Sequence, residues 1–222
     1  MEDDPYLRWA MSIAVQSFEL PPIGTQCYVV SNTDTQEMAV FDAPLNAWAT
    51  VEALAAKSGY RVSGLYLTHG HWDHTLDGQK FNLASVPTFA HAEDRLFYET
   101  PEIMATFSVP GMEMPPVQIG TWLEDGQRIT IVGRTVEVRH VPGHSPGSIL
   151  FWFVDDKVAI SGDALFNGSI GRTDFPGCSF EQLANSIKNQ IYTLPDDTTV
   201  YPGHGPETSV GQEAVRNPFV TR

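Results

Sequence analysis

Three histidines and an aspartate fall within six positions of one another in His69-Gly70-His71-Trp72-Asp73-His74. Neutral imidazole nitrogen and carboxylate oxygen are the ligands that borderline divalent cations take. An apolar run, Val62 to Leu67, leads into this string and reads as a short buried strand. A strand sends side chains to alternate faces and could hold only part of the set on one side. The turn after it must therefore curl His69, His71, Asp73 and His74 around a common volume. A polar loop with solvated histidines is the alternative, and the tight spacing argues against it.

Three further stretches repeat the logic of apolar strand, tight turn and metal-competent side chain. Val141-Pro142-Gly143-His144-Ser145-Pro146-Gly147 presents His144 on a turn stiffened by two prolines and two glycines. Val158 to Gly162 is an apolar strand with Asp163 at its end, and Thr198 to Tyr201 leads to His204 within Pro202-Gly203-His204-Gly205-Pro206. Asp163 by itself would pass for a turn residue. Seven donors, however, exceed the three or four that one zinc or iron takes, and are the supply for a pair of metals with one shared ligand. An aspartate can bridge through two oxygens where an imidazole cannot, so Asp163 is the natural bridge. His91 ends a strand without companions and reads as structural; His140 reads as packing or as support for a ligand. Cys27 and Cys178 also read as structural.

These side chains need strands and helices to place them. Residues 12–20, 26–31 and 37–42 read as early strands. Pro44 to Gly59 changes to a helical period, with Trp48, Val51, Leu54 and Ala55 on one core-facing stripe and Gly59 as the C-terminal cap. A short helix is expected over 75–84, a strand over Val86–Ala90, a helix over Glu93–Phe107, and a loop bordering the site over Val109–Pro116. Leu123 to Val141 reads as two strands turning at Gly133-Arg134. Ser179 and Gln182 form a capping box that opens a helix to about Tyr192. Strand, helix, strand is the alternation of a layered α/β fold, and no linker or repeat divides the chain.

Bulk properties narrow the function. A net charge of −14 and the lack of any Lys/Arg cluster exclude a nucleic-acid partner, which needs a basic footprint. No apolar run approaches a membrane span. The acidic start Met1-Glu2-Asp3-Asp4-Pro5 is unlike a secretory signal and two cysteines make no disulfide framework, so a cytoplasmic protein is expected. Asn167 to Arg172 is glycine-rich but lacks the Lys-Ser/Thr of a phosphate loop.

His69–His74, Pro142–Gly147, Gly162-Asp163, Pro202–Pro206, the stretch Ser169–Gly177 and the ending Arg216-Asn217-Pro218-Phe219 together resemble the metallo-β-lactamase superfamily, and within it the short bacterial hydrolases of the glyoxalase II (hydroxyacylglutathione hydrolase) type. The resemblance covers nearly the whole chain. It implies a four-layer αβ/βα sandwich as a single domain over 1–222, without the C-terminal helical domain that grips glutathione in full-length glyoxalase II. It implies one divalent metal on His69, His71 and His144, another on Asp73, His74 and His204, and Asp163 between them, with Asp73 and Asp163 also in catalytic roles. Zinc comes first, and iron or manganese are admissible to a nitrogen and oxygen ligand set. The implied reaction is hydrolysis of a small-molecule thioester, S-2-hydroxyacylglutathione of the S-lactoylglutathione kind, with Arg172 as a contact for a substrate carboxylate. Persulfide dioxygenases, with a single iron on His69, His144 and Asp163, resemble the chain as well and are the alternative. A non-catalytic metal-binding module on the same fold is a further one. A β-lactamase is disfavoured by the missing export signal and by Asp163. The oligomeric state is left open.

Overall fold

The computed structural model describes residues 13–175 and 177–222. Residue 12 of the first expected strand, and Pro176, lie outside them. The strands in chain order are β1 (Ala14–Leu20), β2 (Thr25–Asn32), β3 (Glu37–Phe41), β4 (Arg61–Tyr66), β5 (Thr88–His91), β6 (Thr121–Leu123), β7 (Arg128–Ile131), β8 (Arg134–His140), β9 (Ile149–Phe153), β10 (Val158–Gly162), β11 (Leu165–Phe166), β12 (Ser169–Ile170), β13 (Thr199–Pro202) and β14 (Thr208–Ser209). The α-helices are α1 (Ala47–Ser58), α2 (Trp72–Thr75), α3 (Gly78–Leu83), α4 (Arg95–Glu99), α5 (Phe180–Ser186) and α6 (Val210–Arg216).

Two six-stranded sheets form, ordered β1-β2-β3-β4-β5-β6 and β14-β13-β10-β9-β8-β7, with β11 and β12 as a separate hairpin. Strand alternation fixes what lies between them. Tyr28, Val30, Ala39 and Phe41 face inward and meet Val136, Val138, Phe151 and Phe153 of the second sheet. The intervening residues Cys27, Val29, Met38 and Val40 face outward, against Ala47 and Val51 of α1, Phe81 of α3 and Tyr98 of α4. On the far side of the second sheet, Leu150, Ala159 and Val200 pack against Leu183 of α5 and Val210 and Ala214 of α6. Three apolar interfaces separate four layers, as an αβ/βα sandwich requires.

Several expected elements shift. Helix α1 begins at Ala47 rather than Pro44, because Asn46 takes a left-handed conformation (φ 74°); Gly59 caps it as expected, its N–H donating to the Ala55 carbonyl. The helix expected over Glu93–Phe107 is broken into a 3-10 turn at Ala92–Asp94, α4, and a 3-10 segment at Pro101–Phe107. Pro101 lacks the donor that a continuing helix needs and keeps Thr100 out of helical backbone. The segment expected over 75–84 starts earlier and splits into α2 and α3. Val109–Pro116 borders the site without lining it: Met112 and Met114 pack in one cluster with Trp72, Met104 and Phe175, which form part of the cavity wall. The β7–β8 turn falls one residue early, at Val132 (φ 44°) and Gly133 (φ 78°).

Candidate metal centre

All seven sequence-selected donors meet at one edge of the sandwich, where β4, β10 and β13 end. His69, His71 and His144 bring ligand atoms within 4.8 Å of one another, as do His69, His74 and Asp163, and Asp73, His74 and His204. The oxygens of Asp163 lie 3.3 Å from Nε2 of His74 and 3.4 Å from Nε2 of His144, one histidine from each side of the cage. Both sheets contribute: the string after β4 supplies four donors, and the second sheet supplies His144, Asp163 and His204.

Local structure explains the placement. His71 precedes α2, whose first turn carries Asp73 and His74 inward together. Gly143 (φ 132°) lets its turn pass so close to α5 that a Cβ there would lie 2.3 Å from the Leu183 nitrogen. Gly203 fits for a related reason: a Cβ would lie 2.0 Å from Oδ1 of Asp163. The Gly203 N–H donates to the Gly162 carbonyl, and Gln26 N–H donates to the Gly203 carbonyl, tying the His204 turn to both sheets.

A surrounding set of groups, which the sequence did not single out, aims these donors. Asp42, at the end of β3, accepts from Nδ1 of His74 at 2.8 Å and from the N–H and hydroxyl of Thr68. That bond turns Nε2 of His74 toward the cage. His144 donates from Nδ1 to the Arg172 carbonyl (2.8 Å), with the same effect. The Thr25 hydroxyl donates to Asp73 at 2.8 Å. Asp94 is fully buried and accepts from the Gly70 N–H, the Ser145 hydroxyl and the Gly147 N–H, so one carboxylate clasps the His69–His71 and His144 loops. The apolar run into Asp42 repeats the pattern that flagged Asp163 and could have found it. Asp94 gave no such signal, since its partners are mostly backbone groups distant in sequence.

Electrostatics make the cage cation-seeking. Burial and the neighbouring histidines hold His69 and His71 well below the ordinary imidazole value, so both present lone pairs. Burial alone would raise Asp73 and Asp163, but the surrounding imidazoles, His74 first, outweigh it and keep both below the usual carboxylate range. Burial also depresses His74, yet Asp73, Asp163 and Asp42 push it well above its ordinary value. Nε2 of His69, Nε2 of His74 and Oδ1 of Asp163 are buried with no hydrogen-bond partner among the described residues, while Nδ1 of His71 faces Nε2 of His144 at 2.9 Å. Each such orphan costs about 1–3 kcal/mol, and three in one cage are what a divalent cation would satisfy. The residues fit the metals.

Beside the cage opens a cavity of about 370 Å³ whose walls include His71, Asp73, His144, Asp163 and His204. Arg172 lies on its rim, with its guanidinium on the carboxylate of Asp174 (2.6 and 2.7 Å) and over the Phe175 ring. A larger open groove of about 1040 Å³ near Leu83 and Trp122 contains none of the seven donors. His91 and His140 stack on each other at 4.1 Å, and His140 bonds the Pro146 carbonyl, which fits the structural roles expected of them.

The model of the metallo-β-lactamase superfamily matches residues 20–204. The chain belongs to that superfamily. Among metallo-β-lactamase relatives, hydroxyacylglutathione hydrolase GloC of Haemophilus influenzae is 37% identical over 162 residues, covering 70% of this chain and 74% of GloC. The crystal structure of BLEG-1 B3 metallo-β-lactamase aligns with a TM-score of 0.81 at 35% identity, covering 94% of this chain and all of that one (100%). TTHA1623 in a di-iron-bound form aligns with a TM-score of 0.81 at 33% identity, covering 93% and 100%. The family, the fold and a donor set suited to divalent metal agree.

Proposed function

We propose that this superfamily member is a dinuclear metal-dependent thioester hydrolase of the glyoxalase II type. His69, His71 and His144 would hold one cation, Asp73, His74 and His204 the other, and Asp163 both. The observation that carries this is Asp163, whose two oxygens face one histidine from each side of the cage. A mononuclear iron dioxygenase needs only three of the seven donors gathered here. GloC supports S-2-hydroxyacylglutathione thioesters as substrates, and S-lactoylglutathione as the first to assay.

Divalent cations bound there would supply ionised water near neutral pH and polarise the carbonyl. The protein's own part is to place and exclude. Asp42 and the Arg172 carbonyl fix the ring orientations of His74 and His144. Asp73, ionised and held by Thr25, is placed to accept a hydrogen bond from the attacking water. The leaving thiol has a pKa near 8.5, so it departs as thiolate and no protein acid is needed. Both cysteines have thiols raised by burial, to about 11 for Cys178, which leaves neither as a nucleophile.

A second reading, β-lactam hydrolysis, is favoured by the 35% identity to BLEG-1. It would use the same cage on a cyclic amide. The test is metal analysis of protein purified without added metal, followed by parallel assays on S-lactoylglutathione, a β-lactam and glutathione persulfide. Two metals per chain and thioester turnover that Asp163→Ala and His144→Ala each abolish, with metal lost, are expected. One iron with oxygen uptake on the persulfide, or retained turnover in either variant, overturns the assignment.

A further inference from the structure

The cavity beside the cage carries more than a place for a thioester; its walls state which thioesters. Apart from the metal donors and Arg172, every residue lining it is apolar: Met104, Phe107 and Phe175, with Ile23, Phe166 and Ile170 among the others. Phe175 is the centre of this surface. Its ring lies 4.9 Å from those of His71 and Phe107, and Phe166 lies 6.1 Å from His204, so apolar contact is available immediately beside the reacting volume.

Arg172 is the only Lys or Arg among the lining residues. Asp174 takes two of its donors in a paired, fork-on-carboxylate arrangement, and Phe175 covers one face of its plane. Three of the five N–H donors of Arg172 remain, so a substrate carboxylate could use them only beside Asp174 and against its repulsion. Glutathione carries two carboxylates and would find one cation here, already engaged.

We infer that the cavity selects thioesters with an apolar, uncharged limb, and that Asp174 sets this preference by withholding Arg172 from carboxylate-bearing substrates. This rests on the thioesterase reading and narrows it. S-lactoylglutathione is turned over, but less efficiently than a thioester that fills the aromatic surface. Asp174 acts through Arg172 and is a specificity residue, not a catalytic one.

The experiment crosses two acyl groups, lactoyl and benzoyl, with two thiols, glutathione and uncharged N-acetylcysteamine, on the metal-loaded protein. Benzoyl thioesters giving the higher kcat/KM place the acyl limb on the aromatic surface; N-acetylcysteamine thioesters giving the higher value place the thiol limb there. Either supports the inference. Asp174→Asn is expected to move the ratio of kcat/KM values toward the glutathione thioesters by about three- to fivefold, the scale of an exposed ion pair. Phe107→Ala is expected to move the preference away from the apolar limb by about tenfold. S-lactoylglutathione as the best of the four, or ratios unmoved in Asp174→Asn, overturns the inference while leaving thioester hydrolysis intact. If none of the four is cleaved, the thioesterase reading fails instead. The cavity is then tested by binding: calorimetry with S-benzyl-N-acetylcysteamine and S-methylglutathione, where tighter binding of the latter overturns the apolar assignment.

Discussion

At the scale of single residues, the centre depends on carboxylates that never face the substrate. Asp94 accepts three hydrogen bonds inside the protein and has no Lys or Arg partner among the described residues. Burial pushes its carboxyl up, against the pull of those donors. Asp94→Asn turns one acceptor into a donor facing N–H or O–H groups and should cost about 2–3 kcal/mol in urea unfolding. Because the same carboxylate clasps both histidine loops, bound metal should fall with it. Ser145→Ala removes only one of the three bonds and should cost about 1 kcal/mol. An Asp94→Asn protein with normal stability and full metal content would falsify the clasp. Gly203→Ala probes the bridge: its methyl would overlap Oδ1 of Asp163, so metal stoichiometry should drop while circular dichroism shows the fold retained. The seven donors could be read from sequence because four crowd into the His69–His74 string and His144, Asp163 and His204 each follow an apolar strand directly or across a tight turn. Asp94 could not, since a buried aspartate with backbone partners looks like any helix-start aspartate.

Elements were legible where chemistry is local and obscure where it is not. Gly59 closing α1 and Ser179 opening α5 follow from caps that a few neighbouring residues decide. The Ser-x-x-Gln signature also opens α6, where Ser209 accepts from the Gln212 N–H, though too few residues follow to show a helical period. Strands β6, β11, β12 and β14 are two or three residues long and exist through their partners, which sequence does not display. The end of β5 and the end of β8 meet in a similar non-local way, through the stacked rings of His91 and His140. Burial, then the proximity of His140, lowers His91 to about 4. In the unfolded chain it titrates near 6.5, so between those values the unfolded state binds more protons. The resulting stability is complete above about pH 6.5 and is lost as pH falls toward 4. Because His91 is only partly buried, solvent screening limits the loss to about 1–2 kcal/mol. His91→Asn should flatten the dependence of unfolding midpoint on pH across that window; an unchanged slope would remove His91 as its source.

At the scale of the whole molecule, the cage joins two sheets that otherwise meet through apolar contact and a few hydrogen bonds, such as those from the Gln26 N–H to the Gly203 carbonyl and from the Tyr28 hydroxyl to the Pro202 carbonyl. Asp42, Asp73, Asp94 and Asp163 are all buried at that edge, and none is paired with Lys or Arg among the described residues. Buried charge of one sign is costly unless something of the opposite sign accompanies it. Protonated His74 can offset part of it, since Asp73, Asp163 and Asp42 hold it well above its ordinary value against the effect of burial. A divalent cation offsets more and satisfies the orphaned nitrogens too, but it competes with that proton for Nε2 of His74. Metal binding should therefore release protons and weaken as pH falls. It follows that metal stabilises the fold as well as equipping it. A ligand present at about a thousand times its Kd adds roughly 4 kcal/mol. For a chain of this length that corresponds to a Tm change on the order of 10 °C. Adding a strong chelator at neutral pH should lower Tm by about that amount, and restoring zinc or iron should recover it. The loss should be smaller in Asp163→Ala, which has already given up the ligand shared between the sites. A chelator that leaves Tm of the unaltered protein where it was would mean that the two sheets hold this edge together without a cation, and that the orphaned donors are satisfied some other way.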